Sequence, residues 1–132
     1  AGILGTDDAT INQLINTGDK TGERLWRLPL WEEHEKMMEG IHADLSNIGP
    51  DREAGTITAA AFLKQFVGDT PWTHLDIAGV AWKSCKEKGS TGRPVALLAQ
   101  FLIERAGARA HARKSALEHH AHRLRLLGFS AR

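Results

Sequence analysis

The sequence of 132 residues contains one cysteine and no long apolar run. The lone Cys85 excludes an internal disulfide and suits a reducing compartment. No stretch approaches the roughly 20 apolar residues that span a bilayer. The first residues also lack the basic and apolar segments of a signal peptide. We therefore expect a soluble cytoplasmic protein with no membrane partner.

An excess of charge of one sign is also missing. The net charge is +1, from 17 Lys and Arg against 16 Asp and Glu. Nothing in this balance argues for nucleic acid as a partner of the whole chain. With 42% hydrophobic and 25% charged residues, the composition is that of an ordinary soluble protein of one domain at most.

Four stretches have the spacing and end signals of helices, over residues 6–18, 31–40, 56–67 and 95–106. Thr6 and the two acids after it begin the first, and Gly18 is its expected stop. Small residues in the third would let its backbone approach a sheet closely. The fourth is apolar almost all round, which is typical of a buried helix.

Strand signals are scarce in comparison. Residues 72–78 alternate apolar and polar groups with the period of a strand. Residues 43–49 predict only a brief strand or turn, and residues 83–92 a charged loop. Two short strands do not make a self-sufficient sheet, so we expect a helix-rich piece of a larger α/β domain. Such a piece would expose apolar surface and self-associate.

The composition changes after Gly107. This stretch contains six basic residues but a single acid, Glu118, and four histidines lie among them. The basic residues are Arg109, Arg113, Lys114, Arg123, Arg125 and Arg132, and the histidines are His111, His119, His120 and His122. We expect residues 107–132 to form a basic, His-rich tail, helical or disordered. Runs of charged residues are usually solvated. Apart from Phe129, this tail has few aromatic groups for stacking on bases.

Several blocks of sequence occur in a characteristic order. They are ADLSNIG at 43–49, AGTITAAAFL at 54–63, WTHLDIAG at 72–79 and GSTGRP at 89–94. Residues 22–30 and Asp7-Asp8 fit the same pattern. Together these blocks resemble the closing third of the catalytic domain of the cytosol (leucyl) aminopeptidase family, over roughly residues 1–106. The resemblance implies the C-terminal segment of a mixed-sheet α/β dinuclear-metallopeptidase domain.

The resemblance also implies an activity. Members of the family remove N-terminal residues from peptides, leucine among the favoured ones, and usually assemble as hexamers. They use two divalent metals, such as zinc or manganese, which polarise the peptide carbonyl and activate a bridging water. Peptide substrates and other copies of the chain are therefore the implied partners.

The residues that would hold those metals are not in this sequence. The motif Asn-Thr-Asp-Ala-Glu-Gly-Arg, which carries the family's catalytic arginine, does not occur. In the family's order the ligand positions fall before residue 1. We therefore expect no catalytic residue and no metal in this chain, and no activity without the N-terminal part of the catalytic domain. The alternative is a non-catalytic remnant that acts by binding, for example to nucleic acid through the basic tail.

Three positions match the family's substrate-pocket wall. Ile48 matches a residue on the side that receives the leaving part of the peptide. Ala78 and Ala81 match residues that line the pocket for the N-terminal side chain. Some members carry methionine where Ala81 stands, which implies a roomier or differently shaped pocket here. A change of apolar volume of this kind is worth about 1–3 kcal/mol of discrimination.

Other residues suggest metal sites but have simpler interpretations. Asp76, beside His74 in the predicted strand, and Asp44 are tempting ligands. An aspartate in such a place more often ties a loop or a helix N-terminus by hydrogen bonds. The tail histidines, such as His119 and His122, have spacing for adventitious zinc or nickel, with no cysteine or acid cluster to support a site. Cys85 is interpreted as an ordinary loop cysteine.

Overall fold

A three-stranded sheet lies at the centre of the computed structural model, which describes residues 1–49 and 53–126. Strand β1 (Gly2–Gly5) lies between β2 (Trp26–Arg27) and β3 (Thr73–Asp76). It runs parallel to β2 and antiparallel to β3, with Ile3 opposite Arg27 and Leu75. The sequence predicted β3 but not β1, because two apolar residues between glycines are too few to show alternation.

Four helices accompany the sheet: α1 (Asp8–Thr21), α2 (Glu32–Lys36), α3 (Gly55–Lys64) and α4 (Val95–Leu126). The α/β prediction is therefore confirmed, with few strands and much helix. The predicted helix at 31–40 is shorter, because the chain turns after Lys36. The region 43–49 contains one isolated bridge, between Glu39 and Leu45, and no longer strand. None of the described helices could cross a membrane.

Gly18 does not end α1, as the sequence predicted, but lies buried inside it. A Cβ atom at this position would be 2.8 Å from the Glu23 carbonyl oxygen and 3.2 Å from Leu97 Cδ1. The helix ends at Gly22, whose φ of 73° is the left-handed conformation that glycine adopts without strain. Gly18 is therefore a site of close packing, and Gly22 is the stop.

The core lies between the sheet, α1 and α4. Its buried members are Ile3, Ile11, Leu14, Leu25, Leu97 and Phe101. Leu4, also fully buried, points to the opposite face of the sheet because neighbouring strand residues alternate. Helix α3 contacts β1 and buries Ala60 and Ala61 completely, as its small residues predicted.

Helix α4 differs most from the prediction. It was expected to be buried on nearly all sides, but only Leu97 and Phe101 face the core. Leu102 and Ile103 are 63% and 65% exposed. Burial was the expectation for this helix within a complete domain; for a piece of a domain we expected exposed apolar surface, and Leu102 and Ile103 agree with that expectation. The helix also continues unbroken to Leu126, so the described part of the predicted tail is helical; residues 127–132, including Phe129, lie outside the described residues.

The predicted loop at 83–92 contains a small hairpin. Strands β4 (Trp82–Lys83) and β5 (Gly89–Ser90) pair antiparallel, with a short 3-10 helix at Cys85–Glu87 between them. The sequence did not predict these strands, because two residues are too few to show the alternation of a strand.

Candidate functional site

The segment that carries Ile48 forms an open cleft of about 380 Å³. The cleft is lined by residues from Met37 to Ile48, among them Ile41, His42 and Leu45. Ile48 is 75% exposed. Two hydrogen bonds shape the segment: Ser46 N–H donates to the Met38 carbonyl (2.8 Å), and the Ser46 hydroxyl donates to the Ile48 carbonyl (2.7 Å). An apolar side chain is thus held at the surface beside a concave site.

Ala78 and Ala81 lie in the turn that follows β3. The N–H groups of Val80 and Ala81 both donate to the Ile77 carbonyl at 2.9 Å. Thr91 fastens the far side of the turn: its N–H donates to the Ala81 carbonyl (3.0 Å) and its hydroxyl to the Val80 carbonyl (2.6 Å). Ala78 is exposed and Ala81 partly exposed, so the turn is an ordered surface with small side chains.

The first turns of α3 connect these two segments. A Cβ atom at Gly49, next to Ile48, would be 3.5 Å from the methyl carbon of Thr58. On the other side, Asp76 is bonded to Thr56. The structure therefore places both segments against α3, but Ala78 and Ala81 do not line the cleft beside Ile48. In the part of the chain that the structure describes, the three predicted pocket residues therefore do not all line this cleft.

Asp76 is the most constrained acid of this region. Hydrogen bonds from the Thr56 side chain and from the backbone N–H of Ala78 lower the pKa of Asp76 from its ordinary value, against a smaller opposing effect of burial. The bond from Ala78 N–H to Asp76 Oδ1 is 2.9 Å. Asp76 thus joins the turn that follows β3 to the start of α3, which agrees with the structural role predicted for it.

Thr56 was missed by the sequence interpretation. It is the second residue of α3, where a hydroxyl can bond to a group outside the helix. The available signal was the sequence Gly55-Thr56 at a predicted helix start. It could not name Asp76 as the partner, because that contact joins residues 20 positions apart.

The described residues do not fit a metal centre. Over 1–49 and 53–126, no three His, Cys, Asp or Glu side chains come together in a way that could hold an ion. Asp44 is exposed, and the His74 ring stacks on Trp72 with centroids 6.0 Å apart. Of the tail histidines, His111, His119 and His120 are exposed along α4, while the side chain of His122 lies outside the described part.

A family comparison agrees with this fold. The model of the cytosol aminopeptidase family catalytic domain matches residues 1–99. A protein named "Probable cytosol aminopeptidase" in Aeromonas hydrophila is 55% identical over 106 residues. Its namesake in Nitrosomonas eutropha is 53% identical over the same length. The chain therefore belongs to the cytosol aminopeptidase family.

The matched region is most of this chain but only a small part of each relative. It takes in 80% of this chain but 21% of each of these relatives. The chain thus spans about a fifth of the length of the curated relatives that it matches.

Proposed function

We propose that this sequence serves as the C-terminal part of an aminopeptidase catalytic domain, where it supplies scaffold and part of the substrate-pocket wall. The observation that carries the proposal is the 55% identity over 106 residues to a fifth of a cytosol aminopeptidase. Peptides are the substrates, and their N-terminal residues are removed by hydrolysis.

The metal-dependent chemistry belongs to the preceding part of that domain. A pair of divalent ions, zinc or manganese, would polarise the scissile carbonyl and activate water there. The described residues of this chain do not fit such a centre, so no catalytic step is assigned to them. The N-terminal part of the catalytic domain is accordingly the first partner of this chain.

Ile48, Ala78 and Ala81 form the proposed pocket wall. Two features support this role: all three present small or apolar groups to solvent, and backbone hydrogen bonds hold their loops in place. In the complete domain, Ile48 would contact the leaving part of the peptide. Ala78 and Ala81 would contact the side chain of the residue that is removed.

The exposed apolar groups support further assembly. Trp26 is 77% exposed, and Leu102 and Ile103 are about two-thirds exposed. Apolar surface of this kind is typical of an interface. It is consistent with packing against the preceding part of the domain and with self-association, as a hexamer in the cytoplasm.

A chimeric enzyme tests the proposal. Residues 1–106 would replace the matched segment of the Aeromonas hydrophila relative, and hydrolysis of leucine p-nitroanilide would be measured with manganese. We expect kcat/KM within about tenfold of the parent, a difference of about 1.4 kcal/mol in transition-state stabilisation. A soluble, folded chimera without leucine hydrolysis would contradict the proposal.

Two methionine variants of the chimera test the pocket wall. Ala81→Met should fill the side-chain pocket and lower the preference for leucine over alanine substrates by about tenfold or more. Ala59→Met, at an exposed position of α3, is the matched control and should leave the preference unchanged. Equal effects of the two substitutions would exclude Ala81 from the pocket.

A further inference from the structure

The proposed wall for the N-terminal side chain consists of two alanines, Ala78 and Ala81. An alanine has no side-chain torsion that moves heavy atoms, so its methyl group moves only with the backbone. Ala78 is exposed and Ala81 is partly exposed, so burial in the core does not fix either of them. The position of this wall is therefore set by the hydrogen bonds that hold the backbone of the turn after β3.

The turn and the hairpin beyond it give Ala81 little support of their own. The bonds from the N–H groups of Val80 and Ala81 to the Ile77 carbonyl stay within the turn. Strands β4 and β5 pair over two residues each, and Trp82 is 61% exposed. Because an isolated two-stranded hairpin is at best marginally stable, a further anchor is needed to fix the turn relative to the core.

Thr91, the residue after β5, supplies such an anchor. Its N–H donates to the Ala81 carbonyl at 3.0 Å, and its hydroxyl donates to the Val80 carbonyl at 2.6 Å. The same hydroxyl oxygen accepts the N–H of Arg93 at 3.2 Å. A hydroxyl has one donor and two acceptor positions, so it can make both bonds at once. One residue thus holds the carbonyls of two consecutive residues of the turn.

The segment after Thr91 is in turn fixed to the core through the start of α4. The N–H of Val95 donates to the Gly92 carbonyl at 3.0 Å. The N–H of Leu97 donates to a carboxylate oxygen of Glu23 at 2.7 Å, and the Leu97 side chain is fully buried. A continuous set of contacts therefore leads from the core, through the start of α4 and Thr91, to the backbone of Ala81.

We propose that the Thr91 hydroxyl is a positioning group for substrate specificity, because it holds the backbone at Val80 and Ala81 where the wall meets a leucine side chain. This inference rests on the proposed function, since it concerns the same pocket. Thr91 acts through Ala81 and is assigned no contact with the substrate. The methyl group of an alanine substrate extends less far than a leucine side chain. A displaced wall should therefore cost contacts with leucine more than contacts with alanine.

The test uses the chimeric enzyme described above and measures kcat/KM separately with leucine and alanine p-nitroanilides. Thr91→Val keeps the shape and the backbone N–H of Thr91 but removes its hydroxyl. We expect kcat/KM for leucine to fall by about fivefold or more and kcat/KM for alanine by less than about twofold, the size expected when one or two hydrogen bonds are lost. Thr91→Ser retains a hydroxyl and should restore the ratio of leucine to alanine.

Thr21→Val is the matched control. Thr21 is also partly exposed, and its hydroxyl likewise donates to a backbone carbonyl, that of Thr17 at 3.0 Å, within α1. Its loss should leave the ratio of leucine to alanine unchanged. Thr91→Ala is a second variant without the hydroxyl, for use if valine prevents folding, and it should shift the ratio in the same direction. Circular dichroism would check that each variant is folded.

The two substrates distinguish positioning from a general loss of structure. A merely structural role for Thr91 would lower kcat/KM for leucine and alanine by the same factor. The proposal is overturned if the ratio is unchanged in the folded hydroxyl-free variants, if Thr91→Ser shifts it as much as Thr91→Val, or if Thr21→Val shifts it equally. A parent chimera without leucine hydrolysis would instead contradict the proposed function, so the two failures are distinguishable.

Discussion

At the residue scale, single side chains explain the position of the turn that carries Ala78 and Ala81. Asp76 bonds to Ala78 N–H in the turn and to Thr56 at the start of α3. The sequence predicted a structural aspartate, because a lone strand acid without a full ligand set is usually hydrogen-bonded. It could not predict which helix Asp76 would hold. For Gly18 the predicted role was wrong. A glycine can either end a helix or allow close packing inside it, and the sequence does not distinguish the two roles.

The Asp76 contacts predict a pH-dependent contribution to stability. Hydrogen bonds from Thr56 and Ala78 lower the pKa of Asp76 in the folded chain, so the unfolded state binds more protons at this site. The stabilisation is present above the unfolded pKa of about 4 and is lost as the pH falls through the lower folded-state pKa. Asp76→Asn should reduce the free energy of unfolding by about 1 kcal/mol at neutral pH, and the difference should shrink in acid.

Urea unfolding of both proteins between about pH 6 and pH 2 measures this difference. Asp44→Asn, at an exposed position, is the control and should match the wild type throughout. A gap between Asp76→Asn and the wild type that stays constant into acid would show that the carboxylate charge is not the cause.

At the element scale, the sequence predicted which segments are helical better than what covers them. Helix α1 follows from its helical spacing, α3 from its run of small and apolar residues, and β3 from alternation. The exposure of Leu102 and Ile103 agrees with the apolar surface expected of a piece of a larger domain. Which side chains would be uncovered could not be predicted, because a one-dimensional pattern does not specify the neighbours of a helix. The short strands β1, β2, β4 and β5 were missed because, unlike β3, they do not lie in a longer stretch of alternating apolar and polar residues.

Two proline substitutions distinguish the free part of α4 from packed helix. Proline inside a helix costs about 3 kcal/mol or more. At Ala112 the neighbouring turns are all exposed, so Ala112→Pro should lower the helical circular dichroism and change the free energy of global unfolding by less than about 0.5 kcal/mol. Ala61→Pro, in the buried face of α3, should instead destabilise the whole fold.

Circular dichroism at 222 nm and urea denaturation report these two effects separately. If Ala112→Pro destabilised the fold as much as Ala61→Pro, the outer part of α4 would have to be packed, contrary to its exposure.

At the scale of the whole molecule, family membership and the site follow from different kinds of information. The ordered sequence blocks predicted the family, and the match over residues 1–99 confirms it. The pocket wall stays a prediction, because Ala78 and Ala81 do not line the cleft beside Ile48 in the described part of the chain. A pocket made with another part of a domain cannot be assembled from this part alone.

The central claim is that this chain contributes structure and pocket wall, while the metal chemistry lies elsewhere. It is tested most directly by assaying the isolated chain for leucine p-nitroanilide hydrolysis after incubation with zinc or manganese and removal of unbound metal. We predict no turnover above the metal-only background, because the described residues include no group able to hold the ions. Turnover that is abolished by EDTA, with metal retained in stoichiometric amount, would contradict the account.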